Sequence, residues 1–219
     1  MQTSDQLLKL NVATNQGKSV TAPGASSPSA MATRREAADP EVSQRLASLE
    51  QRLGPAIADS YNNLGVISAS RNDLNGAVKD FSKAAEWNPT LEGLDYNWGR
   101  AAFASNQYGK AVDPLDRYLH AHPDDAWAPA ALGSSYFQTH KYAEAVATLQ
   151  PLEAQILTIP QLASSYAMSL VKSGDVSRAT AWLKGLNIAD PSLAGVYYEL
   201  GKVQCERGDI KQAIQNRAE

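Results

Sequence analysis

The residues with the clearest potential for chemistry are three histidines, one cysteine and the carboxylates near them. His120 and His122 precede Asp124 and Asp125, so four nitrogen and oxygen donors that could bind a divalent metal ion lie close together in sequence. The two histidines are two residues apart at the end of a helical segment, and side chains at that spacing do not share a helix face. A solvated helix end therefore explains this segment better than a metal site, and we predict no bound metal.

The other reactive groups do not form a catalytic set. Cys205 has no histidine near it in sequence to activate its thiol, and as the single cysteine it cannot form an internal disulfide. The sequence also lacks a phosphate-binding glycine loop, a nucleophile elbow and a zinc-binding helix motif. We therefore expect neither enzymatic activity nor a cofactor.

Composition argues for a folded protein that does not bind nucleic acid. Of the 219 residues, 43% are hydrophobic and 20% are charged, which is ordinary for a folded domain. The formal net charge is -3, so there is no general basic surface to neutralise a phosphate backbone. No apolar run approaches the roughly 18 residues that indicate a membrane-spanning helix. We expect neither a nucleic-acid partner nor a membrane span.

The first 38 residues differ in character from the rest of the chain. Residues 17–38 are rich in Ser, Ala, Pro, Gly and Thr, and offer little apolar surface to offset the entropy cost of ordering. Leu8, Leu10 and Val12 alternate with polar residues as in a short strand, but a lone strand is unstable, so a disordered tail is the alternative. We interpret residues 1–38 as a flexible N-terminal arm or linker.

The start of the sequence bears on the compartment. It lacks the basic segment and the apolar stretch of a signal peptide. The protein is expected to be cytoplasmic if Met1 is the native start, and exported or periplasmic if a leader has been removed.

The remainder of the chain repeats with a period of 34 residues. A large residue followed by a small one recurs at this interval, at Leu64-Gly65, Trp98-Gly99, Leu132-Gly133, Tyr166-Ala167 and Leu200-Gly201. Three further rows keep the interval: Ala77, Ala111, Ala145, Ala179 and Ala213; Phe81, Leu115, Leu149 and Leu183; and Pro89, Pro123 and Pro191, with Leu157 in place of one proline. Turn residues lie between the large–small pair and the alanine of four units, at Asn72-Asp73, Asn106-Gln107, Gly174-Asp175 and Gly208-Asp209. This pattern predicts stacked two-helix units, with small residues where the two helices approach closely.

The period and the order of these rows resemble the tetratricopeptide repeat family, whose pattern runs Trp, Leu-Gly, Tyr, Ala, Phe and Pro over about 34 residues. The resemblance implies an all-α fold, an α-α superhelix of antiparallel helix pairs. Its units would be residues 58–91, which match best, then 92–125, 126–159, 160–193 and an incomplete 194–219. Upstream, residues 39–57 resemble the second helix of a preceding repeat, with Val42, Leu46, Leu49 and Leu53 on one face and Pro55 at its end.

The resemblance also implies that the first helices of the repeats line a concave groove that binds polypeptides. The family's groove positions correspond here to Asn62, Tyr96, Arg100, Phe103, Trp127, Ser134, Phe137, Gln138, Met168, Lys172, Tyr198 and Lys202. Aromatic and arginine side chains are the types that contribute most at protein interfaces. Phe103 and Phe137 have the alternative of packing between adjacent first helices. Some members of the family hold the two carboxylates of a peptide's end in a clamp. The clamp positions correspond here to Asn62, Val66 and Asn97, and only Asn97 is the residue that the family uses, so no such clamp is expected.

Three functions remain open at this point. The first is a non-enzymatic scaffold or adaptor that binds a protein or peptide partner in the groove. The second is self-assembly into a homo-oligomer or filament, in which the incomplete fifth unit of one copy stacks on the half unit of the next and the N-terminal arm docks on a neighbour. The third is the regulatory part of a larger enzyme, for which the sequence offers no catalytic residues.

Overall fold

The computed structural model describes residues 40–186, 191–209 and 214. The predicted N-terminal arm at residues 1–38, with its possible strand, lies outside these residues. Internal contacts divide the chain into two units, residues 1–50 and 51–219. Of the first unit only residues 40–50 are described, and they are helical. The second unit holds the aromatic site and both cavities described below.

The described residues form ten α-helices. They are α1 (Pro40–Ser70), α2 (Leu74–Trp87), α3 (Leu94–Ala104), α4 (Tyr108–Ala121), α5 (Ala128–Gln138), α6 (Tyr142–Leu149), α7 (Glu153–Ile156), α8 (Pro160–Lys172), α9 (Val176–Leu183) and α10 (Ala194–Glu206). Short 3-10 segments, Gln150–Leu152 and Pro191–Leu193, precede α7 and α10. No strand occurs within residues 40–186 or 191–209, and the all-α fold class is confirmed.

The turns that follow α1, α3, α5, α8 and α10 share one backbone conformation. In each of them a single residue has a positive φ, between 57° and 90°, and these residues are Asn72, Asn106, His140, Gly174 and Gly208. Glycine and asparagine tolerate this left-handed region well, which explains four of the five turns. His140 was not recognised from the sequence as a turn residue. The next residue caps the following helix in two cases, because Asp73 and Asp175 accept hydrogen bonds from the Gly76 and Arg178 amides.

Close approach of paired helices depends on the glycine row. Gly65 lies against Phe81, Gly99 against Leu115 and Gly133 against Leu149. A β-carbon added at each glycine would lie only 2.6 Å, 2.6 Å and 2.4 Å, respectively, from the nearest atom of that partner. Normal carbon–carbon contacts are about 3.5–4.0 Å, so no side chain fits at these glycines without displacing the partner. The small-residue row and the Phe/Leu row therefore meet at the same helix–helix contacts.

Two hydrophobic clusters form the core of the second unit. One joins α2 to α5 around the fully buried Phe81 and Leu115. The other joins α6 to α8, α9 and α10 around the fully buried Leu149, Tyr166 and Leu200. Burying a side chain of this size contributes about 1.5–3 kcal/mol, so the packing between successive helices holds the array together.

The helix was expected to end near Pro55, but it does not end there. Helix α1 continues through it, and the boundary predicted between residues 57 and 58 falls within α1. A proline in a helix interior removes one backbone hydrogen bond, here to the carbonyl of Gln51. Both residues are exposed, so water can replace the lost bond, while the neighbouring Gly54 is buried against Trp87. The helix is thus held by packing despite the proline.

Candidate functional site

Four aromatic rings meet on one side of the second unit. Tyr96 and Phe103 lie on α3, Tyr108 is the first residue of α4, and Trp127 precedes α5. The Trp127 ring centroid is 6.1 Å from that of Tyr96 and 5.9 Å from that of Phe103, and Phe103 is 5.7 Å from Tyr108. All three pairs meet edge to face, an arrangement that aromatic rings prefer. We call these four residues the aromatic cluster.

Helix geometry and one carboxylate position the cluster. Tyr96 and Phe103 are two turns apart on α3 and so share a face. At the start of α5, Asp125 accepts hydrogen bonds from the backbone amides of Trp127 (2.8 Å) and Ala128 (2.7 Å). The bond from Ala128 is the main cause that lowers the pKa of Asp125 below its ordinary value. The carboxylate is therefore ionised at neutral pH and fixes the backbone that carries the Trp127 ring.

A cavity of about 320 Å³ lies beside the aromatic cluster. Phe103, Tyr108 and Trp127 form its aromatic wall, and Ser134, Gln138 and Gln161 are among its polar lining residues. None of its lining residues carries a charge. The volume is near the lower end of the range for ligand sites, about 300–1,000 Å³, so it suits one large uncharged side chain.

Arg100 supplies a positive charge beside Tyr96 of the aromatic cluster. It is exposed on α3, with its guanidinium carbon 5.9 Å from the Tyr96 ring centroid and one nitrogen 3.5 Å from the Tyr96 hydroxyl. Within the described ranges it has no carboxylate partner. Because Arg100 lies one turn before Phe103, a ligand could place a carboxylate at the guanidinium and an apolar group in the cavity.

Comparison with known proteins identifies the architecture. The tetratricopeptide repeat family model matches residues 58–91. The structure is similar to that of YrrB, a TPR protein with an unusual peptide-binding site, with a TM-score of 0.55 and 20% identity over 78% of this chain and 87% of that one. This chain has the tetratricopeptide repeat fold. A structure of MamA has a TM-score of 0.53 and 17% identity over 73% of this chain and 87% of that one.

A second MamA structure, of residues 41 to the end from Desulfovibrio magneticus RS-1, has a TM-score of 0.52 and 18% identity over 73% of this chain and 90% of its own. No curated protein matches the sequence significantly.

The tetratricopeptide repeat fold indicates a protein-interaction scaffold, since proteins of this family are in general non-enzymatic interaction modules. In the described ranges, no group of three or more His, Cys, Asp or Glu side chains is placed to hold a metal ion. His120 Nδ1 lies 2.8 Å from the Asp116 carbonyl oxygen of its own helix, and the His122 ring stacks on Tyr118 at 4.4 Å. Among the same residues, no helix is long and apolar enough to cross a membrane.

Half of the predicted groove residues of this tetratricopeptide array share the site described above. These are Tyr96, Arg100, Phe103, Trp127, Ser134 and Gln138. Phe103 and Trp127 also pack against the core cluster of α2–α5, so the packing alternative for Phe103 is observed, and its contact with a partner stays a prediction. The cluster therefore combines a packing role with an exposed part that a partner can contact.

Three other predicted groove residues have surroundings that compete with ligand binding. Lys172 Nζ lies 2.6 Å from a carboxylate oxygen of Glu199, and this contact lowers the pKa of Glu199. Met168 packs against the core cluster of α8–α10. The Phe137 ring lies 6.1 Å from Tyr142 and does not line the cavity. These side chains are already partly engaged within the protein.

The last three predicted groove residues lie apart from the aromatic cluster. Asn62 on α1 is half-buried, and its Oδ1 has no hydrogen-bond partner in the described part of the chain. Tyr198 and Lys202 are exposed on α10. None of the three lines the cavity beside the cluster.

Two residues of the site were missed from the sequence. Gln161 occupies the same repeat position as Trp127, 34 residues further on, so the period itself contained the signal. Tyr108 belongs to a second helix, and nothing in the pattern of first-helix positions points to it. Only the packing of α4 beside α3 brings it to Phe103.

Proposed function

We propose that this chain is a scaffold or adaptor that binds a segment of a partner polypeptide at the aromatic cluster. The observation that supports it is the junction of the cluster with the uncharged cavity of about 320 Å³ and with Arg100. Rigid aromatic rings and arginine are the residue types that most often dominate the energy of protein interfaces. The partner segment can be extended or helical, since both conformations suit a groove between helices.

Each part of the site would contribute in its own way. An apolar side chain of the partner would enter the cavity, and its burial would contribute about 1.5–3 kcal/mol. The Gln138 and Gln161 amides can each donate and accept hydrogen bonds to the partner backbone. Arg100 would favour a partner with a carboxylate next to that apolar residue, since it has no such partner within the described ranges.

Peptide selection from a random displayed library tests this function with the full chain. Selected peptides should be rich in an apolar residue beside Asp or Glu. Their affinity, measured by titration calorimetry, should fall at least about 30-fold in Trp127→Ala, which corresponds to the ~2 kcal/mol of an interface hot spot.

Tyr136→Ala is the matched control. Tyr136 lies on α5, is half-buried and packs against the same core cluster as Trp127, but it does not line the cavity. Its replacement should change affinity less than about twofold, since peripheral contacts contribute little. Equal binding by wild type and Trp127→Ala, with helicity unchanged by circular dichroism, would reject the aromatic cluster as the site.

A second candidate function is self-assembly, and the surface of α1 favours it. Val42, Leu46 and Leu49 are 43–49% exposed and lie on one helix face of the first unit. A contiguous apolar stripe of this kind marks an association surface. Light scattering across a range of protein concentration tests this candidate. Self-assembly is supported if the measured mass rises with concentration in the wild type but not in Leu46→Asp. A monomeric mass at every concentration rules it out.

A further inference from the structure

A second, larger cavity lies on the side of α4 and α6, away from the residues of the first. Its volume is about 560 Å³, and it shares no lining residue with the cavity at the aromatic cluster. Three leucines and three prolines dominate its wall: Leu119, Leu132, Leu152, Pro123, Pro129 and Pro151. We call it the proline cavity. Its volume lies well within the range of ligand sites, about 300–1,000 Å³.

The proline cavity forms where a second helix is interrupted. Helices α2 and α4 have 14 residues each, whereas α6 has 8 and ends at Leu149. Pro151 lacks a backbone N–H, which removes one helical hydrogen bond, and the 3-10 segment Gln150–Leu152 follows α6. Pro151 and Leu152 of the 3-10 segment line the cavity together with Leu119 of α4.

A polar network holds the segment after this break in place. Glu153, the first residue of α7, accepts hydrogen bonds from the Tyr166 hydroxyl and from the Arg178 guanidinium, the latter at 2.6 Å. Arg178 also donates to the Tyr166 hydroxyl at 2.6 Å. Tyr166 as a whole residue is fully buried. The wall of the cavity is therefore pre-organised, which reduces the entropy cost of binding.

The charges at the proline cavity have one sign. Asp116, Asp124 and Asp125 line it, and none of its lining residues is a lysine or an arginine. The Asp125 oxygens are engaged with the start of α5 and with the Tyr118 hydroxyl, but the carboxylate keeps its charge at neutral pH. The Asp116 carboxylate lies 3.7 Å from Nδ1 of the exposed His120. A positive group at this site would therefore be attracted, and a negative one repelled.

We propose that the proline cavity is a second peptide-binding site, which takes a basic segment of a partner protein. An apolar side chain of that segment fills the leucine and proline wall, and a neighbouring lysine or arginine lies against Asp116 and Asp124. The site has the opposite charge preference to the aromatic cluster, where Arg100 provides the charge. It does not depend on the function proposed for that cluster.

Two short peptides test this inference on the full-length chain. The probe is acetyl-Leu-Lys-Leu-amide, and its partner carries Glu in place of Lys. In nitrogen-15 correlation spectra the Lys peptide should cause saturable shifts of the Leu119, Ala126 and Thr148 amides. The Glu peptide should bind at least about fivefold more weakly, as expected for one or two exposed charge pairs.

Three variants distinguish this site from the aromatic cluster. Asp116→Asn combined with Asp124→Asn should weaken the Lys peptide about fivefold, for the same electrostatic reason. Ala147→Leu, at an exposed position of the cavity lining, should weaken it by filling the space. Arg100→Ala should leave it unchanged. Absence of saturable shifts at millimolar peptide, or equal binding of the Glu peptide, would overturn the proposal.

Discussion

Replacing Gly133 with alanine tests how closely α5 and α6 must pack to hold the site. The added β-carbon would lie 2.4 Å from Leu149 Cγ and 2.5 Å from its Cδ2, about 1 Å inside normal contact. Leu149 is fully buried and cannot move into open space. Overpacking costs about 1–3 kcal/mol, whereas alanine gains up to ~1 kcal/mol in helix propensity. We expect a net loss of stability of about 1 kcal/mol.

Urea denaturation followed by tryptophan fluorescence measures this change. Gly195→Ala is the matched control, because Gly195 also lies in a helix but has no atom within 4 Å of an added β-carbon. It should be neutral or stabilise the protein by up to ~1 kcal/mol. If Gly133→Ala stabilises the protein as much as Gly195→Ala does, the close-packing argument is wrong.

A double-mutant cycle with Leu149→Ala isolates the steric contact. Leu149→Ala alone should cost about 2–5 kcal/mol through the cavity it leaves. On that background Gly133→Ala should no longer destabilise, so the two changes should couple by about 1–3 kcal/mol. Additive effects would show that Gly133 and Leu149 do not exclude each other. Because Gly133 precedes Ser134 on α5, the same variant should also weaken peptide binding at the aromatic cluster.

Two further predictions concern polar contacts. Tyr166→Phe removes a hydroxyl that donates to Glu153 and accepts from Arg178, and should cost about 1–3 kcal/mol in urea denaturation. Ser60→Ala, at an exposed position of α1, is its control and should stay within about 0.5 kcal/mol. Asp125→Ala should cost about 1–2 kcal/mol at neutral pH. Folding lowers the pKa of Asp125, so its contribution to stability is present above the ordinary carboxyl pKa and disappears as the pH falls below about 4. If the loss of unfolding free energy in Asp125→Ala stays constant from neutral to acid pH, this explanation is wrong.

The expected all-α fold could be predicted because the 34-residue period encodes contacts between helices that follow each other in sequence. Gly133 and Leu149, for example, belong to separate rows of the pattern, and both rows repeat because each unit has the same local contact. Only a small residue fits on one side of this contact, so the sequence reveals where the two helices approach each other. The same repeat positions pointed to Tyr96 and Phe103, which lie on α3, and to Trp127, which directly precedes α5.

The proline residues show where this reasoning stops. Pro55 was expected to end a helix but lies inside α1, whereas Pro151 lies in the 3-10 segment that follows α6 and lines the proline cavity. Both have the same local chemistry. Their outcomes differ because packing around Gly54 and Trp87 favours a continuous helix at one site, while the contacts of Glu153 hold an interrupted chain at the other.

The sequence by itself determined the helix pairs and their close contacts, and its repeat positions pointed to three of the four aromatic residues of the candidate site, because those features follow from the 34-residue period. The tertiary structure alone decided that Tyr108 completes the aromatic cluster, that Lys172 pairs with Glu199, and that two separate cavities exist. These features depend on the shape and charge of individual side chains at positions where the repeats differ, which a repeating pattern does not encode.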